Sequence, residues 1–205
     1  MRHDNPALTD VDDNVITPRT LLSTVTVSTA VPDVLLLFPP TYTRFLVEID
    51  DWGSVDDPVD GLANFYKGVS VLGSTNDYHY HVRSAESDGA SNASAQSSTA
   101  TAIALNDDAA VSRFGDGAIV GAEAYSFSFQ IDPGVDADHV PKIWGSGVGI
   151  SSAGTVTMAG LTVFGLYMGG TADLGSGITE RMDGINFSMS AGNIRRGTFR
   201  LYGTD

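Results

Sequence analysis

This chain predicts an all-β fold, a β-sandwich of jelly-roll type with an extended N-terminal arm, on three observations. Its apolar residues come in short runs that alternate with polar ones, the period of two expected of strands buried on one side, and no run sustains a helical period. Turn residues separate the runs, with 23 glycines prominent among them, and roughly ten runs at this spacing describe a sandwich or jelly roll. At 205 residues the chain can bury a core without metal or disulfide staples, and it has no cysteine.

Residues 1–20 are polar, acidic and broken by Pro6 and Pro18; they read as an arm lying on a neighbour or as a partly disordered leader. Residues 21–205 read as one sandwich domain. Strand-like runs fall at 21–27, 34–38, 43–49, 62–72 and 78–83. Residues 84–98, SAESDGASNASAQSS, are too poor in apolar side chains to pack a core and are expected to form a long exposed loop. The pattern resumes at 99–105, 117–131, 142–150 and 155–168. In the last of these both alternating sets are apolar, with Leu161, Val163 and Tyr167 on one face and Phe164, Leu166 and Met168 on the other. A strand without a polar face must be covered twice, either by the opposite sheet and a loop or by a neighbouring subunit.

The chain closes on two further strands. Ile185, Phe187 and Met189 share one face, and Asn186 and Ser188 the other; Ala191-Gly192-Asn193 is a turn signal; then Phe199 and Leu201 point one way while Thr198, Arg200 and Tyr202 point the other. This ending, GINFSMSAGNIRRGTFRLYG, resembles a segment that finishes a β-sandwich domain in many tailed-bacteriophage structural proteins. The resemblance runs back to about Tyr42: YTRFLVEIDDW is similar to the first strand of such domains, and DGLANFYKGVSVLGSTNDYHYHVR takes the place of their next two or three strands. The chain departs from the usual ending at Arg195-Arg196, where small or neutral residues are more common. What the resemblance implies is a non-enzymatic virion protein, assembled in the host cytoplasm, that serves as a head decoration, fibre or tail component. Such proteins act through contacts with other virion proteins and are commonly homo-oligomers, often trimers.

Charge narrows the partners. With 25 acidic against 11 basic residues, the net charge of −14 repels phosphate backbones and anionic lipid, so direct nucleic-acid binding is not expected. The N-terminus has no apolar run, and the first apolar cluster, at 34–38, is far too short to span a bilayer, so neither a secretory leader nor membrane insertion is expected.

Few constellations carry chemistry. His79 and His81, at i and i+2, share a strand face and could ligate a metal, but a structural zinc needs four ligands and a catalytic one three; ordinary surface or interface histidines are the plainer alternative. Asp50, Asp51, Asp56, Asp57 and Asp60 gather the carboxylates that hard cations prefer, although aspartate with glycine and proline is also ordinary turn chemistry. A glycosidase needs two carboxyls about 5 to 9 Å apart with one in a pocket, and only Glu48, Glu123 and Glu180 are glutamates outside the polar stretch. Neither a nucleophile elbow nor a Cys-His pair occurs, so no catalytic residue, metal or cofactor is assigned. Trp52, Tyr66 and Trp144 fall in loop-like positions where aromatic rings stack on sugars, which supplies the alternative function: a carbohydrate-binding, host-recognition module of a fibre or spike. Arg195 and Arg196 form the basic doublet of the final turn, a docking point for a neighbour's carboxylates. With residues 161–168, they make up the expected assembly surface.

Overall fold

The computed structural model describes residues 19–56, 59–74, 77–86, 92–106, 124–134, 139–152, 156–169 and 181–204. They form two antiparallel sheets that face each other, with no helix among the described residues. The larger sheet has eight strands in the order β1 (Thr20–Val27), β13 (Ile194–Thr204), β3 (Arg44–Ser54), β9 (Tyr125–Asp132), β10 (Lys142–Ser152), β11 (Val156–Tyr167), β6 (Tyr78–Glu86) and β7 (Asn92–Ala100). The smaller has β2 (Asp33–Leu37), β12 (Gly184–Met189), β4 (Gly61–Lys67) and β5 (Ser70–Val71), with β8 (Ile103–Ala104) also paired to β4. The predicted arm lies outside the described residues except for Arg19 and Thr20, the second of which opens β1.

Alternation explains most strands. On β9, Tyr125, Phe127, Phe129 and Ile131 are buried while Ser128 and Gln130 are exposed. Val34 and Leu36 of β2, Ile185 and Phe187 of β12 and Phe199 and Leu201 of β13 complete the same core from both sheets. Burying each such side chain contributes roughly 1.5–3 kcal/mol, and these faces together hold the sheets in contact.

At the centre of that core stands Trp52, fully buried, with ring centroids 5.9 Å from Phe127, 5.9 Å from Phe187 and 5.7 Å from Phe199. Phe45, Val47 and Ile49 face inward on β3, so unbroken alternation would turn Trp52 outward. A β-bulge reverses the phase: between Ile49 and Trp52 the register shifts against β9, and Asp51 sits at φ 54°, in the left-handed region. The carboxylates of the bulge are held from β13, Asp51 by Arg196 at 2.9 Å and Asp50 by Arg200. Residues 50–54, expected as an acidic turn, therefore continue a strand.

Glycine has a role beyond turns. Gly145, Gly147 and Gly149 on β10 pair with Phe129, Phe127 and Tyr125 on β9. The three rings stack along β9, with centroids 5.1 and 5.9 Å apart, and lean over these glycines, leaving no room for a Cβ at any of them.

Three polar ties fix the smaller sheet. Tyr78, fully buried, accepts a hydrogen bond from the Phe65 backbone N–H at 2.8 Å and donates to the Leu72 carbonyl at 2.8 Å, so its hydroxyl replaces one rung between β4 and the chain leading out of β5. Burial holds this phenol above its ordinary pKa, which keeps the donor proton in place. Asn64 donates to the carbonyls of Leu72 and Thr101, both at 2.8 Å. Near the start of β12, Asp183 accepts from the Gly68 N–H at 2.9 Å and from Lys67 at 3.3 Å; these bonds hold its carboxyl below the usual carboxylate range.

Several expected boundaries shift. The run at 62–72 is two strands joined through Gly68, at φ 64°. Within 99–105 only Ile103–Ala104 is a strand in its own right, because β7 ends at Ala100. The expected loop at 84–98 is largely ladder: Ser84 pairs with Ala93, Arg83 with Ser94 and His81 with Gln96, and only 87–91 lie outside the described residues. An edge strand is held by backbone hydrogen bonds and needs no apolar side chains, which is why composition hides it.

Removing the rung supplied by Tyr78 tests this account. Tyr78→Phe leaves the Phe65 N–H without its acceptor, while Leu72 keeps Asn64, and is expected to lower unfolding free energy by about 2 kcal/mol in urea denaturation. An unchanged midpoint would contradict the assigned role of the hydroxyl.

Candidate functional site

The outward face of the eight-stranded sheet mixes serine and threonine with charged residues, and one register row across it carries several aromatic and apolar side chains. Strand register places Leu21, Tyr202, Leu46, Gln130, Trp144, Phe164, His81 and Gln96 side by side, one from each strand in order. The neighbouring row is polar: Arg200, Glu48, Ser128, Ser146, Thr162, Arg83 and Ser94. Because side chains alternate, the register alone decides which residues share this surface.

Among the described residues, shallow concavities open on this face. One, of about 410 Å³, is lined by His79, Tyr80, His81, Gln96, Ser97, Ser98, Phe164 and Leu166. Another, of about 420 Å³, lies over Glu48, Asp50, Ser126, Ser128, Ser146 and Val148 and is polar and acidic. Phe164 is 46% exposed at the first, an unusual position for a phenylalanine in a polar face. His79 pairs with Leu166, and His81 with Phe164, so two histidines roughly 7 Å apart along the strand each meet an apolar side chain from β11.

The structure joins some of the predicted site residues and separates others. His79 and His81 share a face and are joined there by Phe164 and Leu166. Among the described residues no three His, Cys, Asp or Glu side chains cluster to hold a metal ion. Asp50 and Asp51 are paired to Arg200 and Arg196, Asp56 lies beyond the end of β3, and Asp57 lies outside the described residues. Leu161 and Val163, expected at a subunit interface, are core residues at 3% and 1% exposure, and Met168 is buried just past the strand. Tyr167 packs on the core beside Tyr78, with centroids 5.2 Å apart. Of that set, only Phe164 and Leu166 look outward from β11.

The three aromatics expected to share a glycan surface occupy three environments. Trp52 is inside the core, because the bulge turned it there, and it cannot stack on a ligand. Tyr66 lies on the outward face of the smaller sheet, opposite the inward Phe65. Trp144 alone is on the outward face of the larger sheet, next to Phe164. Arg195 and Arg196 lie on β13 rather than in the turn before it; Arg195 is exposed, whereas Arg196 is engaged by Asp51 of the same chain. Gln96 and Ser98 were hidden in the low-complexity stretch, and only the pairing of β7 with β6 brings them to the groove.

No protein-family model matches this chain, and neither a curated protein nor a solved structure matches it.

The two tryptophans report these environments separately. In Trp144→Phe the remaining Trp52 should emit at short wavelength and resist acrylamide, whereas the Trp144 left in Trp52→Phe should be readily quenched. Free quenching of Trp52 would contradict its inward placement.

Proposed function

We propose that this chain is a non-enzymatic structural protein of a tailed-bacteriophage virion, a head decoration, fibre or tail component, folded as a jelly roll and working through assembly. The observation that carries the proposal is the position of the closing segment that resembles those proteins. Its first strand, β12, lies between β2 and β4, and its second, β13, between β1 and β3, so the resembling residues form an interior strand of each sheet. The jelly-roll reading is supported by nested pairing: β1 with β13, β2 with β12, β3 with β9 and β4 with β8. Double-sheet folds of this kind serve in viral capsids and in lectins.

Assembly requires a surface on which chains of charge −14 can meet. The outward face of the smaller sheet offers one. Leu37, Gly184, Tyr66 and Val71 lie in one register row, with Leu37 57% and Val71 44% exposed, and the turn beside them carries Val69 at 91%. An apolar row of this kind suits a second copy of the chain in a homo-oligomer, a trimer being the number to test first. This row takes over the assembly role that the sequence suggested for residues 161–168.

A second reading, glycan recognition, is favoured by the groove that holds Phe164, His79 and His81 on the opposite outer face.

Light scattering on the purified full chain tests the assembly reading. A defined oligomer is expected, reduced to monomer by Leu37→Asp combined with Val71→Asp. A wild-type monomer over the micromolar range would contradict self-assembly.

A further inference from the structure

We propose that the groove across β11, β6 and β7 binds an uncharged oligosaccharide, an inference that rests on the glycan-recognition reading. The lining decides the ligand class. Phe164 and Leu166 supply an apolar floor, His79 and His81 supply ring nitrogens, and Gln96 supplies an amide that both donates and accepts. A sugar ring presents the complementary surface, an apolar face edged by hydroxyls, and an aromatic side chain meets that face with little loss of rotamer freedom.

Charge selects among partners of mixed polarity. Among the described outward residues of β6, β7, β10 and β11 there is no carboxylate, so a cationic partner finds no counter-charge. The cations of that half-face are Arg83 and Lys142, and Lys142 is paired with Asp132 at 3.4 Å. A polyanion must also approach against a net charge of −14. An uncharged, hydroxyl-rich chain incurs neither penalty. The second concavity, over Glu48 and Asp50, lacks both properties: it carries carboxylates, and no outward aromatic ring lines it.

Register also sets the reach. Trp144, Phe164, His81 and Gln96 stand on four successive strands, a row about 14 Å long at the usual strand spacing. That length accommodates several linked sugar rings lying across the strands, with Trp144 as a second stacking platform beyond Phe164.

The test uses the full-length protein on an array of neutral oligosaccharides and of uronate- or sialate-bearing ones. Positives are then titrated calorimetrically against wild type, Phe164→Ala, His81→Ala and the off-groove control Val148→Ser. Neutral members are expected to bind, about tenfold more weakly to Phe164→Ala and more weakly to His81→Ala, with the control unchanged. Neutral binding that survives both groove substitutions would sink this site while leaving glycan recognition standing. Binding of acidic members alone would overturn the ligand class, and an array with no positive would overturn the glycan reading as well. A change of oligomeric mass in Phe164→Ala would assign the groove to contact between copies and overturn the proposal.

Discussion

The fold depends on bringing one tryptophan to the inner side of a strand whose alternation points it outward. Trp52 touches rings from β9 and β13 of its own sheet and Phe187 from the opposite one, so a single side chain spans the junction between the layers. Only the extra residue at the Asp50–Asp51 bulge makes this geometry available. The bulge in turn explains the pairing of Asp51 with Arg196 and of Asp50 with Arg200. These carboxylates are 64% and 55% exposed, so the pairs orient the strand more than they stabilise it. What the sequence presents as an acidic loop with a surface tryptophan is a device for filling the core.

From that junction the molecule divides into a nested part and an added part. Strands paired from the chain ends inward, β1 with β13 through β4 with β8, enclose the core. Beyond β9 the larger sheet continues through β10, β11, β6 and β7, and the groove with Phe164 and the two histidines lies on this extension. The glycines of β10 are what let the extension join closely: with no Cβ between them, the rings of Tyr125, Phe127 and Phe129 cover the seam. The stacked rings also back β10, the strand that carries Trp144 on its outward side. The smaller sheet meanwhile turns an exposed apolar row to the opposite side. The row proposed for assembly and the groove proposed for glycan therefore lie on opposite faces.

Much of this was legible where a strand has one wet and one dry face. The runs at 21–27, 34–38 and 43–49 correspond to β1, β2 and the first part of β3, and the two closing strands were readable from Ile185, Phe187, Phe199 and Leu201, although they enter opposite sheets. Legibility failed where a residue's role is set by its neighbour across the sheet. Asn92–Ala100 has no apolar pattern because an edge strand can be held by its backbone alone, and Gly145, Gly147 and Gly149 resemble turn residues until the rings of β9 are placed over them. The candidate site was half visible: His79 with His81, and Phe164 with Leu166, stood out separately, but their meeting is a property of the pairing between β6 and β11. Trp52 was misplaced because a bulge inverts every side chain beyond it, and an Asp-Asp doublet before Gly53 carries the same signal as a turn.

The most direct test of this account is the equilibrium unfolding of Trp52→Ala, followed by far- and near-ultraviolet circular dichroism. If Trp52 joins the two sheets, the substitution lowers stability by about 3–5 kcal/mol, and both signals are lost in one transition at lower denaturant. A loss under about 1 kcal/mol, the range of an exposed loop side chain, would contradict its place at the centre of the core.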